Sequence, residues 1–241
     1  MKKLSKLMLM LLVCFTLTAC GSNNKVVNDE TNNDSKETEQ KETVKGTTPA
    51  DSYSAYLEMK SKAIENLTDN IPEENYVLPM ELLGFTMVDL TMIPVTFCGL
   101  DEVERSGLAF LYNNFTYDYK DNKCILTFED EEAAKTRYET MFDSKRDAMQ
   151  TKVFVDDKLT FINEYVKNKS GYAAQYYVVN EERNVIYRTI FKDKYIMTGI
   201  YNDVTEEPDS IYNSNNNIGE DWLNKGNSWS KYADGVFTSN K

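Results

Sequence analysis

Clustered carboxylates are the first residues of this sequence whose type and spacing are suited to catalysis. Asp101, Glu102 and Glu104 form one cluster, and residues 129–132 (EDEE) form a second. Two positioned carboxyl groups are enough to hydrolyse a glycosidic bond. Acidic runs are also typical of helix starts and solvated surfaces, and we favour that interpretation. The sequence therefore leaves enzymatic activity open and leans against it.

The absence of histidine removes most other catalytic and metal-binding schemes. Without histidine, neither a Ser-His-Asp triad nor a Cys-His pair can form, and histidine-based zinc sites are excluded. The sequence also lacks the Gly-rich phosphate-binding motifs and the G-x-S-x-G motif of serine hydrolases. Residues 213–224 match an EF-hand loop poorly, because Ile218 and Asn224 replace its Gly and its bidentate Glu. We therefore predict no metal and no cofactor.

Tyrosines make two strand-like stretches of the second half unusual. Residues 172–179 and 195–201 are fairly apolar on both alternating faces, whereas a strand with one solvated face alternates apolar and polar side chains. The second face is therefore covered by the C-terminal tail or the N-terminal helix, or it binds a sugar, a peptide or a protein. Tyrosine suits a binding surface because its ring is apolar and its tip polar. The candidate ligand-binding residues are Tyr176, Tyr177, Tyr195 and Tyr201.

Two helices are predicted among the elements that must position these residues. Residues 53–67 place apolar side chains three and four positions apart, which is typical of an amphipathic helix. Asp51 or Ser52 is expected to cap this helix. A second, central helix is predicted over 130–149, because acidic residues open it and apolar residues mark one face.

Strands account for most of the remaining chain. Asp121-Asn122 predicts a tight hairpin between strands at 115–120 and 123–129. Short polar linkers separate five further runs and predict an antiparallel meander, with strands at 152–156, 159–166, 172–179, 185–192 and 195–201. We therefore predict a single α+β domain over 51–241. It consists of an antiparallel β-meander with an N-terminal helix and a central helix packed on it, and a loop-rich tail from about 203.

Two cysteines of this domain, Cys98 and Cys124, are candidates for a disulfide. A bond between them would close a loop of about 26 residues and contribute about 3 kcal/mol. The alternative is a pair of small buried thiols, since Cys124 shares a strand face with Leu126 and Phe128. The sequence leaves both possibilities open.

The N-terminus indicates export. A basic start and an apolar run over 7–17 have the layout of a signal peptide, and the run is too short to span a bilayer. The run ends in LTAC at 17–20, which resembles the lipobox of bacterial lipoproteins. The resemblance implies that residues 1–19 are cleaved as a signal peptide and that the Cys20 thiol carries a diacylglyceryl group. Two acyl chains are sufficient for stable anchoring.

Composition beyond Cys20 predicts a domain held away from the membrane surface. Residues 21–50 contain almost nothing to bury, so 20–50 is predicted to be the lipidated cysteine followed by a disordered polar tether. The chain carries 27 basic and 39 acidic side chains, a formal net charge of −12. An acidic domain is repelled by nucleic acid and by anionic headgroups.

These observations predict a lipoprotein on the extracytoplasmic face of a bacterial cell membrane. Its expected partners are the membrane, through the lipid anchor on Cys20, and a protein or cell-wall ligand of the envelope, but not nucleic acid. Its expected function is non-catalytic binding of that ligand or partner. A solute-binding component of a transport system is one alternative, and a carboxylate-dependent cell-wall hydrolase is another.

Overall fold

The computed structural model describes residues 48–69, 88–100, 102, 105–106, 112–129, 133–179, 183–214 and 217–240. All of them belong to one unit, Thr43–Lys241. The predicted signal peptide, Cys20 and residues 21–47 of the predicted tether lie outside the described residues, as do Asp101, Glu104 and residues 130–132 of the carboxylate clusters. The last three residues of the predicted tether, 48–50, are described and belong to the cap and the start of a helix.

One long helix, α1, spans Pro49–Thr68. Thr48 caps it, because the Thr48 hydroxyl accepts a hydrogen bond of 3.2 Å from the Asp51 amide and so satisfies one of the free N–H groups of the first turn. The predicted N-terminal helix is therefore confirmed, although its cap lies before the two residues expected. No helix of the described segments has the length and apolar composition needed to cross a membrane.

Ten strands form a single antiparallel sheet in chain order. Each strand pairs with the next one, so β1 and β10 are the two edges. The strands are β1 Asn113–Lys120, β2 Lys123–Glu129, β3 Lys135–Asp143, β4 Ala148–Val155, β5 Lys158–Asn168, β6 Gly171–Val178, β7 Val185–Lys192, β8 Tyr195–Tyr201, β9 Ser228–Ala233 and β10 Val236–Ser239. Two short 3-10 helices are also described, η1 at Ile93–Phe97 and η2 at Glu220–Trp222.

Tight turns built on Asp and Asn explain how so many strands follow one another. Asp121 and Asn122 join β1 to β2 with φ of 52° and 63°, and Asp156 and Asp157 join β4 to β5 with φ of 48° and 60°. Two consecutive left-handed residues give the turn whose twist matches that of the flanking strands, and Asp and Asn tolerate this conformation. The predicted hairpin at Asp121-Asn122 is confirmed.

The predicted central helix over 130–149 is wrong. The described part of this stretch forms β3 and the start of β4. In β3 the side chains of Tyr138, Thr140 and Phe142 are buried, and the residues between them are not. This alternation is the period of a strand, and it outweighs the helix propensity of the charged residues, which is a weak determinant. The protein is therefore mainly β, and not an α+β domain with a central helix.

The C-terminal part also contains more strand than predicted. Residues 202–214 and 217–227 are irregular apart from η2, but β9 pairs with β8, and β10 pairs with β9. The described part of the predicted loop-rich tail from about 203 thus includes a closing hairpin. We call residues 203–214 and 217–224 the covering segment, because they pack over one face of the sheet.

The sheet is buried on both faces in its middle. On one face α1 packs against the strands, and its Tyr56 ring lies 4.4 Å from the Tyr165 ring and 5.5 Å from the Phe191 ring. On the other face the covering segment packs Ile211 against Val166 and Ala173. Two covered faces explain the apolar composition of the central strands on both sides.

Candidate functional site

The four candidate tyrosines do not lie together on one surface. Tyr176 is fully buried beneath α1, whereas its neighbour Tyr177 is 4 % exposed and packs on the opposite face with Ile162 and Ile186. Adjacent residues of a strand point to opposite faces, so these two tyrosines cannot line one groove. Both are part of the protein's own core.

The other two tyrosines are half-buried by contacts with the covering segment. The Tyr201 hydroxyl donates a hydrogen bond of 2.6 Å to the Trp222 carbonyl. The Tyr195 hydroxyl donates one of 2.9 Å to the Glu220 carboxylate. The sheet face that was predicted to bind a ligand is therefore covered by the covering segment of the same chain.

A charged pair lies buried between α1 and the sheet. Lys60 Nζ donates to Asp89 Oδ2 at 2.6 Å and to the Tyr176 hydroxyl at 3.0 Å, and the Tyr56 and Tyr176 hydroxyls hydrogen-bond to each other. Burial lowers the pKa of Lys60 and raises the pKa of Asp89, because removal from water disfavours the charged form of each, and the partner's charge opposes both shifts. The site is enclosed, so its altered pKa values reflect burial rather than an accessible catalytic centre.

A second buried carboxylate ties the start of α1 to the sheet. Asp147 accepts hydrogen bonds from the Ser52 hydroxyl at 2.6 Å and from the Tyr172 hydroxyl at 2.7 Å. The Ser52 and Tyr165 hydroxyls also lie 2.7 Å apart. Asp147 is 7 % exposed, so its role is to orient the first turn of the helix.

A third carboxylate anchors the covering segment. Glu164 Oε2 accepts from the Ile211 amide at 2.9 Å and from the Gln175 side chain at 3.2 Å. Its Oε1 accepts from the Ser210 hydroxyl at 2.5 Å and from the Gln150 side chain. Both oxygens are thus satisfied by neutral donors, two of which belong to the covering segment.

An open concavity among the described residues lies at one end of the sheet and has a volume of about 410 Å³. Three chain segments meet there: the β1–β2 turn, the end of β3 with the turn that follows it, and the covering segment. Its lining comprises Asp121, Asn122, Lys123, Met141, Phe142, Asp143, Ser144, Lys145 and Tyr212. We call this concavity the end pocket. Its volume lies in the range of small-molecule sites.

Backbone and side-chain hydrogen bonds hold the walls of the end pocket in place. The Phe142 amide donates to the Asn122 carbonyl at 3.0 Å. Asp143 accepts from the Arg146 side chain at 2.7 Å, and Arg146 in turn donates to the Tyr212 carbonyl at 2.7 Å. The hydrogen bonds from Arg146 hold the pKa of Asp143 below its ordinary value. Asp143 is therefore a poor proton donor near neutral pH.

Sequence reasoning missed the end pocket because it placed Met141 inside a helix. Asp121 and Asn122 were identified only as turn residues, and Tyr212 belongs to a stretch predicted to be loop. The pocket depends on the contact of segments that are 20 to 90 positions apart in the chain. A β assignment for 135–143 would have placed Lys123 and Met141 side by side, as they are in the sheet.

The predicted carboxylate clusters do not form a catalytic pair among the residues that are described. Glu102 is exposed, and Glu129 accepts a hydrogen bond of 2.6 Å from the Asn114 side chain. No group of three or more His, Cys, Asp or Glu in the described segments is placed to hold a metal ion.

Cys98 and Cys124 are joined by a disulfide, with their Cα atoms 5.8 Å apart. Cys98 follows η1, and Cys124 lies in β2, so the bond links the layer that contains α1 to the sheet. Both residues are completely buried.

Comparison with known proteins gives no relative from which a function could be transferred. No family model matches the chain, and neither the curated proteins nor the solved structures contain a match to it. The function is therefore argued from the residues alone.

Proposed function

We propose that this protein is an exported lipoprotein, anchored through Cys20, whose folded domain binds a component of the cell envelope without catalysing a reaction. The observation that supports a location outside the cytoplasm is the Cys98–Cys124 disulfide. Disulfides persist in oxidising compartments outside the cytoplasm and are rare inside it. The bond and the lipobox-like LTAC at 17–20 are independent features of the chain, and both favour export.

Binding is favoured over catalysis by the positions of the buried carboxylates. Asp147 and Glu164 are each enclosed and hydrogen-bonded by neighbouring side chains. Asp89 has a raised pKa, as a general acid requires, but it is paired with Lys60 beneath α1. The end pocket contains Asp143, whose pKa is lowered instead. Hydrolysis by paired carboxylates has no support from this arrangement.

A transport-type solute-binding protein is the weaker alternative. Such proteins close two lobes around a ligand, whereas the described strands of this chain form one continuous antiparallel sheet. The end pocket is open and lies at the rim of that sheet. This shape suits recognition of one unit of a larger ligand that extends into solvent.

The anchoring proposal is tested with a Cys20→Ser variant of the full chain, expressed in a bacterial host. The wild type should fractionate with membranes and carry a diacylglyceryl group on an N-terminal cysteine, as measured by mass spectrometry. The Cys20→Ser variant should lose the lipid, and it should appear either unprocessed or in the soluble fraction. Its folded domain should keep the thermal unfolding temperature of the wild type, because position 20 precedes the first strand of the sheet by more than 90 residues in the sequence.

Cys14→Ser is the matched control for this experiment. Cys14 lies within the apolar run that the proposal assigns to the cleaved signal peptide. Its replacement should change neither lipidation nor fractionation. Retention of a fully processed, lipid-free Cys20→Ser chain in the membrane would contradict the anchoring proposal.

A further inference from the structure

We propose that the end pocket binds a neutral saccharide unit of an envelope glycan. This inference rests on the proposed function and deepens it by naming the ligand class. It follows from three properties of the pocket: an exposed apolar side chain beside a tyrosine, balanced charge, and polar side chains that have no hydrogen-bond partner in the described structure.

One exposed apolar side chain, Met141, lies among the mostly polar residues that line the end pocket. Met141 is 38 % exposed, and it is one of two large hydrophobic side chains of the described residues that are exposed to this degree. The half-buried side chain of Tyr212 forms the adjoining wall. A sugar ring presents C–H groups on its face and hydroxyls at its rim, so it matches an apolar surface beside an aromatic ring with a polar tip.

The charges around the pocket compensate one another. Asp143 is paired with Arg146 at 2.7 Å. Lys123 has its nearest carboxylate partner, Glu139, at 3.9 Å and is half exposed, while Asp121 and Lys145 contribute one charge of each sign. The chain as a whole has a net charge of −12, so anionic polymers are repelled at long range. A neutral ligand avoids this repulsion.

The remaining polar groups are suited to hydroxyl and amide groups of a ligand. The side-chain carboxamide of Asn122 and the hydroxyl of Ser144 line the pocket. Neither side chain hydrogen-bonds to another described residue. Both can donate and accept. Their backbones are held by the hairpin turns, so binding loses little conformational entropy. Polar groups beside an exposed apolar side chain and a tyrosine ring can fix the orientation of a small ligand.

The experiment is a saturation-transfer NMR titration of the full mature chain in detergent. The probes are a neutral N-acetylglucosamine tetramer, the neutral non-acetylated maltotetraose, and anionic polyglutamate. We expect at least one neutral saccharide to bind and polyglutamate not to bind. Tyr212→Ala should weaken saccharide binding about tenfold, as expected for loss of one aromatic contact.

Two further variants keep this test specific. Tyr195→Ala removes a tyrosine that is also half-buried but does not line the pocket, and it should bind as the wild type does. Met141→Lys replaces the exposed apolar side chain of the pocket with a charged one and should weaken binding even if Tyr212→Ala disturbs the covering segment. Failure of every neutral saccharide to bind, or equal binding by wild type, Tyr212→Ala and Met141→Lys, would overturn the proposal.

Failure of this inference is distinguishable from failure of the proposed function. If isolated envelopes retain the lipidated chain through its domain but no saccharide binds, the ligand class is wrong and the binding function stands. If a saccharide binds in the end pocket but Cys20 carries no lipid, the inference stands and the anchoring proposal falls.

Discussion

Two carboxylates buried on opposite faces of the sheet, Asp89 and Glu164, are stabilised by different means. Beneath α1, the carboxylate of Asp89 is balanced by the ammonium of Lys60, and its Oδ1 atom has no hydrogen-bond partner among the described residues. Beneath the covering segment, Glu164 has no cation as a hydrogen-bond partner, but each of its two oxygens accepts two hydrogen bonds from neutral donors. The Asp89 carboxylate thus relies on opposite charge, and the Glu164 carboxylate relies on a complete shell of neutral hydrogen-bond donors.

This difference predicts that substitutions around the two carboxylates change the stability of the protein in different ways. A buried ion pair costs desolvation of two charges, and removal of one partner leaves the other uncompensated. A carboxylate surrounded by neutral donors loses one or two hydrogen bonds when it is changed. We therefore expect the Lys60–Asp89 pair to be sensitive to single substitutions and tolerant of paired ones, and the hydrogen-bond network of Glu164 to respond locally.

The largest effect is expected from Lys60→Met. The change leaves Asp89 buried without its cation, so the free energy of unfolding should fall by about 3–5 kcal/mol. Urea denaturation monitored by circular dichroism measures this loss.

The matched control is the double variant Lys60→Met with Asp89→Leu, which replaces the pair by apolar side chains. Such replacements are often neutral or stabilising, so most of the lost stability should return. A double variant as unstable as Lys60→Met alone would show that the charge pair is not the cause.

A smaller and more local effect is expected from Glu164→Gln. One of the two acceptor oxygens becomes an NH₂ group that faces donors, at a cost of about 1–3 kcal/mol. Because Ile211 and Ser210 both donate to Glu164, hydrogen exchange at the Ile211 amide should accelerate more than exchange in α1. Uniform acceleration in α1 and the covering segment would contradict the local role of this network. Gln150→Glu places a second carboxylate beside Glu164. It should therefore lower the free energy of unfolding more than Glu164→Gln does.

The smallest effect per substitution concerns alkaline pH. Burial raises the pKa of Tyr56, Tyr165 and Tyr176 well above the ordinary value of 10.0. Above that pH the unfolded chain releases these protons while the folded chain keeps them, so the free energy of unfolding falls as the pH rises. Each such tyrosine contributes up to about 1.4 kcal/mol per pH unit.

Tyr165→Phe should therefore flatten the decline of stability between about pH 10 and 11, as measured by urea denaturation at several pH values. Phe191→Leu is the control, because it lowers stability in the same core without removal of a phenol. The dependence of its free energy of unfolding on pH should equal that of the wild type. An unchanged slope in Tyr165→Phe would mean that this tyrosine does not titrate differently in the two states.

The hairpin at Asp121-Asn122 and the helix at 53–67 were predictable because their signals are local. Two residues that tolerate positive φ define the turn, and apolar spacing defines the helix face. The central helix over 130–149 was wrong for a related reason. Charged residues with helix propensity conceal a strand whose inward positions are Tyr138, Thr140 and Phe142, and only pairing with β2 and β4 selects the extended form.

By itself the amino-acid sequence determined the strand runs from Lys158 to Tyr201, the turns between them and the position of α1, because alternation, Asx turns and helical spacing act over a few residues. Only the tertiary structure decided what lies on the sheet. It placed Tyr176 beneath α1 and Tyr177 beneath the covering segment, joined Cys98 to Cys124, and assembled the end pocket around Met141 and Tyr212. Each of these contacts joins residues far apart in the chain, so its formation depends on the packing of whole elements rather than on local preference.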